Sequence, residues 1–162
     1  MLKTKAFLFA ILIFSVTLIA DQVTKVMVER MFELHESVEI FSWLNFTYVR
    51  NEGAAWGMFS GAQYGLVAVG GLAILLGTLF WKRFIGPQAV FLPLGGLLYA
   101  GIIGNIIDRL RVHYVIDFFD FHLGDWHYPC FNIADIAICV SVIGILGFQF
   151  YFERKAKKSK VS

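Results

Sequence analysis

The sequence predicts an all-α membrane protein with four transmembrane helices and a small extracytoplasmic β-sheet and loop. A single membrane-embedded domain over residues 1–162 is expected. Three observations carry this expectation. Hydrophobic residues make up 58% of the 162 residues and Asp, Glu, Lys and Arg only 16%, against about 25% charged in an ordinary soluble domain. Mean hydropathy is +0.68. The apolar residues gather into four runs, each close to the ~20 residues that cross ~30 Å of hydrocarbon. Helices are the form in which such runs satisfy their own backbone in lipid.

The first run, Ala6 to about Val28, is broken by Asp21, Gln22 and Lys25. Lys3 and Lys5 ahead of an apolar core resemble the start of a secretory leader. Leu18-Ile19-Ala20 lacks the small residue that cleavage requires, and apolar character resumes beyond Asp21. A retained helix over about 6–28 is therefore expected. The first outer segment, about 29–60, follows. Leu44-Asn45-Phe46-Thr47-Tyr48-Val49 alternates as a strand does, and Asn51-Glu52-Gly53 reads as a turn. The alternation predicts a small sheet on the outer membrane surface. Trp43, Phe46, Tyr48 and Trp56 would then sit at the headgroup level, where aromatic rings anchor. The remaining helices are expected over about 61–81, 88–107 and 132–152, with a second outer segment over about 108–131. Cys130 and Cys139, nine residues apart, are not expected to pair, because on one helix they would lie roughly 13 Å apart.

Orientation follows from Lys and Arg. Lys3, Lys5, Lys82, Arg83, Arg154, Lys155, Lys157, Lys158 and Lys160 fall on one side of the runs, with Glu153 the one acid among them. Lys25, Arg30, Arg50, Arg109, Arg111 and the other acids fall on or toward the other side. Both termini are expected in the cytoplasm, with the two long connections outside. The basic C-terminal tail reads as a topology signal, and no nucleic-acid partner is expected.

Polar residues converge at the outward end of the helices. Thr17, Asp21, Thr24 and Lys25 share one helical face, and Asp21 and Lys25 stand at i, i+4, where they can pair. Gly101, Gly104, Asn105 and Asp108 form a second stripe, small at one end and polar at the other. Small residues let a neighbouring helix approach, and Asn can hydrogen-bond across the contact. Asn132 and Asp135, three apart, share a third face. An acid within a membrane span costs about 2.5–3.5 kcal/mol on insertion scales and marks a functional site by default. The plainer reading of Asp135 is a helix-start charge favoured by the helix dipole.

Three hydrolytic chemistries can be compared. His35, His113, His122 and His127 lack the H-E-x-x-H spacing of a zinc site. His122 and His127 with Asp120 and Asp125 read more simply as polar loop residues, so no metal is expected. Ser60 and Ser141 have neither a nearby His nor a G-x-S-x-G context. A carboxylate pair remains: two close acids share one proton, one acting as base on a water and the other donating to the substrate carbonyl. Asp135 is one member by position. Asp108, Asp117, Asp120 and Asp125 are candidates for the other. Asp120 and Asp125 lie in the most polar part of the loop. Asp108 precedes Arg109, a neighbouring cation that favours an ionised structural role. Asp117, within Val115-Ile116-Asp117-Phe118-Phe119, is preferred because apolar neighbours raise a carboxyl's proton affinity. Asp108 remains open on these grounds. A proton-coupled transporter is a second class of reading, but the acids sit at one depth and no inverted repeat is visible.

The chain resembles the lipoprotein signal peptidases, or signal peptidase II, over nearly its whole length. Asp21-Gln22-Val23-Thr24-Lys25, Asn51-Glu52-Gly53-Ala54-Ala55-Trp56, Gly101-Ile102-Ile103-Gly104-Asn105-Ile106-Ile107-Asp108-Arg109, Val115-Ile116-Asp117-Phe118 and Phe131-Asn132-Ile133-Ala134-Asp135 occur in order. Ala100-Gly101 stands where the family often has paired glycines. The resemblance implies a bacterial aspartic endopeptidase of the cytoplasmic (inner) membrane, multi-pass, with its active site near the outer face. It implies cleavage of diacylglyceryl-modified prolipoproteins just before the lipidated cysteine, with Asp117 and Asp135 as the catalytic dyad and Asp108 in support. Asn51, Gly53, Gly104, Asn105, Arg109, Asn132 and Ala134 match pocket or supporting positions, and Asp21 and Lys25 match a buried polar pair. No metal or organic cofactor is implied. The expected partners are the lipidated substrate and membrane lipids, and the chain is expected to act as a monomer.

Overall fold

A computed structural model of the chain describes residues 2–53, 61–81 and 88–158. Helix α1 spans Leu2–Met31, α2 Gln63–Leu79, α3 Phe91–Val112 and α4 Ile133–Lys158. Three of these are long and apolar enough to cross a membrane: α1 from Thr4 onward, α3 and α4. Helix α2 has 17 residues, roughly 25 Å at ~1.5 Å per residue, and is the shortest. The chain is a membrane protein, mostly helical, with one small antiparallel sheet.

Helix α3 runs past the apolar stretch that ends at Ile107, because Asp108 and Arg109 find partners inside the protein. It stops at His113, whose left-handed φ of 66° turns the chain out of the helix. Helix α4 likewise outlasts its apolar run. Its last turn carries Lys155, Lys157 and Lys158, which complement the negative end of the helix dipole.

Helix α3 is the centre of the bundle, packed between α1 and α4. Small residues allow this. A Cβ on Gly101 would collide with the Ala134 carbonyl oxygen, and one on Gly104 would lie 2.5 Å from Asp21 Oδ2. Ala100, next to Gly101, is fully buried.

The sheet comprises β1 (Ser37–Phe41), β2 (Leu44–Asn51), β3 (Val115–Leu123) and β4 (Trp126–His127), in that spatial order. Pairing of β2 with β3 sets Val49 opposite Asp117 and Asn51 opposite Val115, with a register shift between Phe46 and Val49. This pairing carries the loop acid Asp117 to Asn51 and so builds the site. The core beneath the sheet joins Val28 of α1 to Tyr48, Ile116 and Phe118. Tyr48 therefore corrects one expectation. It is 2% exposed and belongs to this core, because its ring seals the sheet against α1. Trp43 remains exposed and Phe46 packs edge-on against Phe118 and Phe119. Trp56, Lys82, Arg83 and Lys160 lie outside the described residues.

Candidate active site

The site is assembled around the start of α4. Asn132 caps the helix: its Oδ1 accepts from the Asp135 backbone N–H at 3.0 Å, and Asp135 Oδ2 accepts from the Asn132 N–H at 3.1 Å. This reciprocal pair is a capping box with Asn and Asp in place of the usual residues. Asp135 is thus a helix-start acid, and its second oxygen is also committed. Asp135 Oδ1 accepts from Asn105 Nδ2 at 2.8 Å.

Asp117 reaches the same place from β3. Its Oδ1 accepts from Asn132 Nδ2 at 2.7 Å and its Oδ2 from Asn51 Nδ2 at 2.9 Å. Asn51 Oδ1 in turn accepts from the Gly53 N–H at 3.0 Å, which fixes the amide's orientation. Asn132 is therefore bonded to both acids. Burial drives the proton affinity of Asp117 up, and the nearby charge of Asp135 adds to it. Hydrogen bonds from Asn51 and Asn132 and the charge of Lys25 act the other way, leaving the pKa at about 7. Of the four candidates for a partner acid, Asp117 is the one joined to Asp135 through Asn132.

Asp108 lies elsewhere, in a buried ionic cluster. Lys25 Nζ is 2.9 Å from Asp21 Oδ2 and 2.8 Å from Asp108 Oδ2, with the lysine 1% and both acids 0% exposed. The sequence pointed to Arg109 as the cation for Asp108, but the cation is Lys25 of α1. Arg109 turns away, donating from Nη2 to the Gly53 carbonyl at 2.7 Å and from Nη1 to the Asn105 carbonyl at 3.3 Å. Two carboxyl groups and one amine held away from water are costly unless their remaining hydrogen-bonding positions are satisfied. Backbone donors meet that need. Asp21 Oδ1 accepts from the Ala134 N–H at 2.9 Å, at the positive end of α4. Asp108 Oδ2 accepts from the Ile116 N–H at 3.3 Å. The cluster thus ties α1 and α3 to α4 and β3, the two elements that carry the dyad candidates.

One member was not singled out by sequence. Gln22 Nε2 lies 3.1 Å from Asp21 Oδ2, 3.2 Å from the Gly104 carbonyl and 3.2 Å from Asp108 Oδ1. Its position inside the Asp21–Lys25 segment was the available signal. Asp120 is drawn off to the sheet, bonded to His127 Nδ1 at 2.7 Å and to Thr47 Oγ1 at 3.1 Å. His122 stacks on His127. Among the described residues no three His, Cys, Asp or Glu converge as a metal site.

Two cavities flank the acids. One, of about 250 Å³, is lined by Asp135, Asn105, Arg109, Ile138 and Cys139. The other, of about 390 Å³, is lined by Asp117, Arg50, Glu52 and Gly53. They share Asn51, Pro129 and Cys130. Both cysteines are free thiols, and burial pushes that of Cys130 up to about 12. Arg109 Nε is buried beside the first cavity with no partner among the described residues. A third cavity of about 370 Å³, lined by Phe7, Phe14, Trp81 and Tyr99, is apolar and contains none of these acids.

The chain as a whole is similar to known proteins. The family model of signal peptidase (SPase) II matches residues 13–151. A lipoprotein signal peptidase of Shewanella piezotolerans is 43% identical over 148 residues, covering 87% of this chain and 85% of the relative. One from Syntrophotalea carbinolica is 34% identical over 145 residues, covering 87% and 90%. A bacterial membrane enzyme solved by the in meso method at 2.3 Å superposes with a TM-score of 0.82 at 31% identity, over 91% of this chain and 90% of that one.

Proposed function

This chain belongs to the signal peptidase II family, the lipoprotein signal peptidases, and from that premise we propose that it is an aspartic endopeptidase whose dyad is Asp117 and Asp135. Its substrate is a diacylglyceryl-modified prolipoprotein, cut just before the lipidated cysteine. The observation that carries the reading is Asn132, which donates to Asp117 through its side chain and to Asp135 through its backbone. A framework of amides thus holds two carboxyl groups at adjoining cavities that share Asn51, Pro129 and Cys130.

In the proposed reaction a water lies between the two acids. Asp135, both of whose oxygens already accept hydrogen bonds, removes a proton as the water oxygen bonds to the scissile carbonyl carbon. Asp117, whose proton is retained up to about pH 7, donates it to the carbonyl oxygen. The tetrahedral diol then collapses: one hydroxyl proton returns to Asp117 as the C=O re-forms, the C–N bond breaks, and the amine leaves with the proton held by Asp135. Arg109, which lines the Asp135 cavity, adds a cation beside the reacting groups. No metal or organic cofactor takes part in this scheme.

The enzyme acts as a monomer in the bacterial cytoplasmic membrane, with both termini inside and the site near the outer face. The charge distribution supports this orientation. A substrate tethered by acyl chains and a signal helix reaches such a site from the side, within the lipid. The test is cleavage of matched precursors with and without the diacylglyceryl group, with products identified by mass spectrometry. The lipidated precursor is expected to be cut at one bond, directly before the cysteine, and the unmodified one far more slowly. Equal rates on both would remove the lipid from the recognition scheme.

A further inference from the structure

We infer that Lys25 is a positioning residue for the dyad, acting through Asn105. Its ammonium fixes which way the Asn105 amide faces and so makes Asn105 a donor to Asp135. This rests on the dyad reading above.

An ammonium has three N–H donors and no acceptor. Lys25 directs them at Asp21 Oδ2 (2.9 Å), Asp108 Oδ2 (2.8 Å) and Asn105 Oδ1 (2.9 Å). The third bond goes to a neutral amide, although the cluster already carries two carboxylates. An amide whose oxygen is held by a cation must present its NH₂ on the other side, and there Asn105 Nδ2 meets Asp135 Oδ1 at 2.8 Å. With the amide turned over, Asn105 would set an oxygen against the Asp135 carboxylate and an NH₂ against the ammonium, and both contacts repel. Asn132 Nδ2 also reaches Asn105 Oδ1, at 3.3 Å, but it makes a shorter bond to Asp117 at 2.7 Å and is the weaker lock.

The charged groups facing Lys25 are Asp21 on its own helix and Asp108 on α3. Asp117 on β3 feels its charge at longer range. On the cleft side, the Arg109 guanidinium is bonded to the backbone carbonyl of Asn105. A purely structural Lys25 would only neutralise Asp21 and Asp108. A positioning Lys25 also sets the orientation of the acid that attacks through water, and misplacement of a catalytic group by ~1 Å can cost roughly 10²-fold in rate.

The test compares purified Asp108→Asn with Lys25→Met/Asp108→Asn. The double variant leaves Asp21 buried without its cation, so it is expected to melt below the single one, and rates are compared at a temperature where both are fully folded. The double variant's kcat should fall roughly 100-fold further with KM within about threefold. The alkaline limb of its pH–kcat profile should move to higher pH, because a cation that opposed protonation of Asp117 is gone. Lys25→Gln/Asp108→Asn, which restores an N–H donor toward Asn105, should recover part of the lost kcat. It also carries the test if the Met variant does not fold. A folded Met variant with the kcat and pH profile of Asp108→Asn, or a Gln variant no better than the Met variant, would overturn the inference. Asp117→Asn and Asp135→Asn are assayed alongside. Activity in either would be a failure of the dyad itself, separate from that of Lys25.

Discussion

At Asp117 two sets of forces oppose each other. Removal from water and the negative charge of Asp135 favour the protonated acid. Two amide donors and Lys25 favour the carboxylate. Desolvation wins, and the pKa rises from 3.8 to about 7. The sign of two pH effects follows. In the proposed reaction Asp117 donates a proton, which is lost as pH climbs through about 7, so kcat/KM is expected to fall on the alkaline side with an apparent pKa near that value. Folding binds this proton more tightly than the unfolded chain does. The associated stability is complete below about pH 4 and is lost as pH rises toward about 7. Melting curves of wild type and Asp117→Asn across that window check the second effect: wild type should lose stability relative to the variant. Parallel pH dependence in the two proteins would contradict it.

The start of α4 performs two tasks with one pair of residues, and substitutions can separate them. Asn132→Ser keeps a side-chain oxygen for the cap but loses the Nδ2 donor to Asp117. It is expected to cost about 1–3 kcal/mol in stability, because the buried Asp117 acceptor loses its donor, while lowering kcat by roughly 10²-fold. Asn132→Ala should lose the cap as well, adding about 1–2 kcal/mol of destabilisation. Thermal melts beside kinetics give both numbers, and equal stability losses in the two variants would argue against the cap. At this scale the sequence was only partly readable. The long apolar runs marked the helices, because burial in lipid demands ~20 apolar residues in a row. Strand β2 showed in the alternation from Leu44 to Val49. Strand β3 did not, because Val115, Ile116, Asp117 and Phe118 are all buried and a strand covered on both faces loses the alternating pattern. Tyr48 was misplaced for the related reason that a strand's pattern gives its two faces but not which one meets α1. Asp117 was preferred as the desolvated acid, and the resemblance to signal peptidase II matched it to the family's dyad. The cation for Asp108 was not legible, because the pairing with Lys25 spans α1 and α3 and only the packed bundle brings them together.

Across the whole molecule, the apolar bundle and the polar site depend on each other. Small residues on α3 let α1 and α4 approach closely, and that approach allows Asp21, Lys25 and Asp108 to meet without water. The same cluster holds the starts of α4 and β3 through Ala134 and Ile116, and so sets the spacing of the two acids those elements carry. The family assignment extends over this entire scaffold, since the match covers residues 13–151. The central claim is that Asp117 and Asp135 perform the hydrolysis while Asp108 holds the scaffold. It is tested most directly by cleavage of one diacylated precursor by purified wild type, Asp117→Asn, Asp135→Asn and Asp108→Asn side by side. The two dyad variants should remain folded and lose on the order of 10³-fold or more in rate. Asp108→Asn should lose stability first and retain measurable cleavage. Normal processing by either dyad variant, or abolition of cleavage by Asp108→Asn in a fully folded protein, would contradict the claim.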